Sequence, residues 1–113
     1  MNEVGNGKHR RWKFTSYDKE GRVVDEGEWL DGKMHGKWVS WHPNGIKQSE
    51  AQWVAGEQMG SFTTWHDNGS IEVTGEHKDG KPQGIWVYRD ANAKVVKKIH
   101  WDAGKAQSIE KFD

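Results

Sequence analysis

Gly36-Lys37-Trp38-Val39-Ser40-Trp41-His42-Pro43-Asn44-Gly45 is the stretch that decides the fold. A short strand carrying two rings runs into Pro-Asn-Gly. That order suits a type I turn closed by a glycine at positive φ, the hairpin with a G1 bulge. The stretch recurs as Gly60 to Gly69, with Phe62 and Trp65 in the ring slots. Gly32, Gly56, Gly80 and Gly104 lie 24 residues apart, and Gly36, Gly60 and Gly84 keep the same period. Phe14, Trp38, Phe62 and Trp86 make one ring column. Trp29, Trp53 and Trp101 make a second, with His77 in its remaining slot. Self-similarity at a fixed period marks an array of supersecondary units.

Each unit reads as two strands, and the recurrent glycines leave no stretch with a helical period. The expected fold is all-β: a single-layer, elongated, twisted antiparallel sheet of tandem hairpins. It forms one domain over residues 1–113, with repeats near 8–32, 33–56, 57–80 and 81–104 and a final strand at 105–113. Alternation sorts the faces. A simple register puts Trp41 opposite Ile46 and Trp38 opposite Ser49. One face then collects both ring columns as a continuous ladder, with Val23, Ile71 and Val95 beside them. The small residues Gly27, Ala51 and Gly75 make room for the rings. The other face is polar except for Tyr17, Trp41 and Trp65 in a row near the turns. The fourth tip should differ: Ala93 stands where glycine is expected, and Tyr88 arrives one residue early. A tip one residue longer is the expected result.

Composition agrees with a thin sheet. Hydrophobic residues are only 33%, yet eight are Trp, so burial rests on a few large rings. Seventeen basic residues balance seventeen acidic ones, which gives no field to attract nucleic acid. With no cysteine there is no disulfide or thiolate site. Longer apolar runs are missing, so a membrane-spanning helix is not expected. Met1 to Lys8 lack the apolar stretch of a signal peptide. The chain as it stands reads as cytoplasmic, or as exported if it is a trimmed piece. Lys8, Arg10, Arg11 and Lys13 at one end, and Lys94, Lys97 and Lys98 at the other, raise membrane contact as a weaker reading.

Gly-x-Trp-x-x-Trp-x-x-Asn-Gly, as it stands at Gly36 to Gly45, resembles MORN repeats. The bacterial variant in MORN-type antitoxin-like proteins is the nearest likeness. The first copy has Trp12 in place of the first glycine and Glu20 in place of Asn. The fourth has Ala93 in place of the last glycine. The resemblance implies stacked hairpins in a single sheet and a role in protein–protein contact or scaffolding. It carries over no catalytic residues and no cofactor.

The chemistry of the residues points the same way. His42 and His66 share a column roughly 10 Å apart at ~4.8 Å per strand, too far to bind one Zn²⁺. Asp25, Glu26 and Glu28, and Glu72 with Glu76, lack the cleft that paired carboxylates need. No nucleophile elbow or phosphate loop is present. Neither an enzyme nor a metal protein is expected. The leading reading is a protein-binding or scaffolding module, with antitoxin- or immunity-like neutralisation as one form. Candidate contacts are Tyr17, Trp41 and Trp65. The alternatives are a glycan or cell-envelope binder using the same rings, and a structural element that pairs copies into an oligomer.

Overall fold

The computed structural model describes residues 10–112. Lys8, the start of the expected first repeat, and residue 113 lie outside them. Nine strands follow in order: β1 (Arg11–Tyr17), β2 (Val23–Leu30), β3 (Lys33–Trp41), β4 (Lys47–Val54), β5 (Glu57–Trp65), β6 (Ile71–Lys78), β7 (Lys81–Arg89), β8 (Val95–Asp102) and β9 (Lys105–Lys111). Each pairs antiparallel with the next, in one open sheet of sequential order. The smallest dimension is only 14 Å against 58 and 38 Å, as expected for one layer.

Two kinds of turn alternate. At one edge, Asp31-Gly32, Ala55-Gly56, Asp79-Gly80 and Ala103-Gly104 all have positive φ. Positive φ at both central residues defines the two-residue turn whose twist suits a hairpin. These turns also tie neighbouring repeats: the Gly56, Gly80 and Gly104 amides donate to the carbonyls of Met34, Gln58 and Pro82. At the other edge the tips close as the Pro-Asn-Gly pattern predicts. The His42 amide donates to the Ile46 carbonyl, and the Gly45 amide to that of His42.

The fourth tip corrects the expectation of a longer loop. The Asp90 amide donates to Lys94 and the Ala93 amide to Asp90, the same pattern and length. Ala93 takes φ 68°. The Asp90 carboxylate accepts from the amides of Asn92 and Lys94, and this bracing holds the alanine in a conformation it would otherwise avoid.

The register also differs from the simple one. Trp41 lies opposite Lys47 and Trp38 opposite Ala51, with a bulge between Ser40 and Trp41. The tip closes one residue later than the simple register assumes, and the bulge absorbs one more residue on β4. The same bulge lies opposite Tyr17, Trp65 and Arg89, whose partners are Val23, Ile71 and Val95. Those three aliphatic residues therefore share the polar face with Tyr17 and Trp65, not the ring face. A bulge reverses the alternation that a plain strand would keep.

On the ring face each small residue sits beneath a ring. A Cβ built on Gly27 would fall inside the Trp38 indole, and one on Gly75 inside that of Trp86. Phe62 lies opposite Ala51. The ladder is not continuous but forms two clusters. Phe14 and Trp29 each pack 5.7 Å from Trp38. Phe62 and His77 pack 5.4 and 5.0 Å from Trp86. Between them, over Ala51, lies an open hollow of about 190 Å³ walled by Trp38, Trp53 and Phe62. Phenylalanine is smaller than indole and Ala51 carries a Cβ, so Phe62 does not reach Trp38 as Trp38 reaches Phe14. Among the described residues only Ala51, Trp86 and Ile99 form a buried apolar core.

Candidate functional site

Tyr17, Trp41 and Trp65 end β1, β3 and β5 and stand on the polar face beside the tips. Val23, Lys47 and Ile71 face them across the register on β2, β4 and β6. Rings thus alternate with aliphatic or cationic side chains along one row, and Arg89 with Val95 continues it. Tyr17 is 62% exposed and Ile71 38%, while Trp41 and Trp65 are half-buried.

Lys47 organises the centre of the row. Its ammonium lies 5.3 Å from the Trp65 ring centre and 3.0 Å from the Glu50 carboxylate. Lys37 approaches the same carboxylate at 3.7 Å. Beside Trp41 opens a hollow of about 380 Å³, lined by Arg22, Val23, Glu26, Trp41, His42 and Gly45. Arg22 is committed to Asp18 at 2.8 Å and Glu20 at 2.9 Å. The Arg22 amide and guanidinium hold the Asp18 carboxyl below the usual carboxylate range. Glu26 makes no ion pair among the described residues.

The histidines of the inner tips have structural work. His42 Nε2 donates to the Trp65 carbonyl and His66 Nε2 to that of Arg89, both at 2.8 Å. A carbonyl only accepts, so the Nε2 of each ring is the donor. Asn44 and Asn68 reach the next tip in the same way, donating to the carbonyls of Asp67 and Ala91. The carboxylates grouped in sequence are divided in space. Asp25 meets Ser16 on the ring face, and Glu28 pairs with Arg11 at 2.7 Å. Glu72 accepts from Thr64. The basic ends form no single patch: Arg10 lies over Trp12, and Lys97 over Tyr88. Among the described residues no three His, Cys, Asp or Glu side chains converge as a metal group.

The row Tyr17, Trp41, Trp65 was legible from spacing. Lys47 is not among the expected contacts, and Glu26 figures only in the carboxylate cluster of Asp25, Glu26 and Glu28. Lys47 had a signal: it is the one cation in the column of Val23, Ile71 and Val95. The surface is shallow and open. It offers rings, indole N–H donors and a free carboxylate, which is equipment for holding a surface.

Residues 34–55 match the family described as MORN repeat variant, which links that segment to MORN repeats. No curated protein and no solved structure matches the chain.

Proposed function

We propose that this chain is a protein-binding and scaffolding module without catalytic activity, and that its partner docks on the tip row of Tyr17, Trp41 and Trp65. The supporting observation is the row itself: rings and aliphatic side chains stand partly exposed on an otherwise polar face, beside an unpaired Glu26. Partly exposed rings at the centre of a patch are the residues that most often carry interface energy. The resemblance to bacterial MORN-type antitoxin-like proteins favours neutralisation of another protein by direct binding as the specific role. A rigid sheet suits it, because little ordering is needed on docking.

The test uses the whole chain and a Trp41→Ala/Trp65→Ala variant as parallel baits in extract of the source cells. A specific protein should be retained by the first and lost from the second, with circular dichroism of the two unchanged. A partner held equally by both would place docking elsewhere.

A further inference from the structure

The tip row has a period, and the period selects a ligand. Equivalent positions on alternate strands lie roughly 9.6 Å apart at ~4.8 Å per strand. A polyproline II helix repeats every three residues with ~3.1 Å rise, a pitch of about 9.3 Å. An extended strand repeats every two residues, about 6.8 Å at ~3.4 Å each. An α-helix repeats every ~5.4 Å. Of the three, only polyproline II stays in step over Tyr17, Trp41 and Trp65.

We infer that the tip row binds a proline-rich segment in the polyproline II conformation, laid across the strands, with a basic residue directed to Glu26. This rests on reading the row as the docking surface and names the chemistry of what docks there. Three observations support it beyond the spacing. Such a segment has no internal hydrogen bonds, so its carbonyls need donors from outside. The indole N–H groups of Trp41 and Trp65 have no acceptor among the described residues, and they recur at the same period. The hollow beside Trp41, about 380 Å³ in volume, has a wall of Val23 and Trp41 for proline rings. Glu26, at the same hollow, has no cation among the described residues, whereas its neighbours Glu50 and Glu28 hold Lys47 and Arg11.

A sugar chain stacking on the rings fits less well. Pyranoses need open ring faces, and the Lys47 ammonium sits over that of Trp65, held there by Glu50. A proline segment lies in the hollows between the rings and donates nothing to their faces. It therefore leaves Lys47 where it is.

The experiment is a titration of the full chain, ¹⁵N-labelled, with three probes. The first is a proline-rich peptide of about ten residues, some three polyproline turns, with one arginine. The second is the same peptide with arginine replaced by proline. The third is a soluble β-linked oligosaccharide. The indole N–H signals of Trp41 and Trp65 should shift with both peptides, and that of Trp86 should not. Glu26→Gln should weaken the arginine peptide about fivefold and leave the all-proline peptide unchanged. Trp41→Phe, which keeps a ring and removes the donor, should weaken both about tenfold, in line with loss of a buried hydrogen bond. No shift with either peptide, or shifts with the oligosaccharide alone, overturns the inference. If the peptides fail while the natural partner still depends on Trp41 and Trp65, the docking surface stands and only the ligand class is wrong. If the peptides bind but shift only ring-face residues, both readings fall.

Discussion

Phe14, Trp29 and Trp38 are arranged as Phe62, His77 and Trp86 are, two repeats later. The Phe–Trp planes tilt by 31° in one cluster and 33° in the other. Trp29 meets Trp38 edge-on at 89°, and His77 meets Trp86 edge-on at 86°. An imidazole occupies the place of an indole with almost no change of geometry. The arrangement is therefore set from below, by the glycine under each central Trp, and only loosely by the third ring. What differs is chemistry. Trp38 donates its N–H to the Glu28 carbonyl at 3.1 Å, whereas the N–H of Trp86 is buried with no partner among the described residues. His77 brings a titratable group into the second cluster, and burial pushes its pKa below the usual histidine value.

Trp86 is only 7% exposed and should show the largest difference. Trp86→Ala is expected to lose about 3–5 kcal/mol, as for a large ring removed from a core. Trp38→Ala, at a half-buried ring, should lose less. Equal losses in denaturant melts would mean that the two clusters are packed alike despite their burial.

Smaller effects test the glycine floor. Gly27→Ala and Gly75→Ala should each cost about 1–3 kcal/mol, because the new methyl must displace an indole. The two costs should agree within experimental error if both clusters are set from below. A harmless Gly75→Ala would mean that Trp86 is free to move and that its geometry has another origin.

His77 separates the clusters by pH. Its folded pKa lies below the ordinary 6.5, so the unfolded chain holds the proton more tightly. The stability this gives is complete above about pH 6.5 and is lost as pH falls through the folded pKa. His77→Trp should remove that loss while keeping an edge-on ring against Trp86, as Trp29 stands against Trp38. Thermal melts at a series of pH values will show it. A slope that survives the substitution must come from other groups. Asp18, whose pKa is also lowered, acts in a separate window, below its ordinary carboxylate value. Outside both clusters, Ala93→Gly should raise stability by about 0.5 kcal/mol, because the positive φ it relieves exceeds the entropy glycine adds. A loss would show that Asp90 already removes all strain from that tip.

The repeat, the tip chemistry, the ring face and the row of Tyr17, Trp41 and Trp65 could all be read from spacing, because each leaves a mark at a fixed period. The register could not. The bulge opposite Trp41 has no glycine or proline to announce it, and it carries Val23, Ile71 and Val95 to the other face. Ala93 misled for a related reason: its turn is held by a side chain at Asp90, three positions away. The break in the ladder follows from the size of Phe62 and from the one methyl of Ala51, quantities that a count of aromatic slots passes over. At the candidate site, Glu26 acquires meaning only when Glu28 and Glu50 are seen to be taken.

The inner tips carry a consequence for how the array is held together. His42 and Asn44 fasten the second hairpin to the third, and His66 and Asn68 fasten the third to the fourth. At the first tip the side chains of Asp18 and Glu20 turn back to Arg22 of their own loop. In a linear array, stability is a sum of unit terms and nearest-neighbour couplings. The coupling between the first and second units lacks the contribution from this edge, while later couplings have it. At the tip edge the first hairpin thus lacks a fastening that the later three share, and on the ring face it is held instead by Phe14 and Trp29 packed on Trp38 of the second.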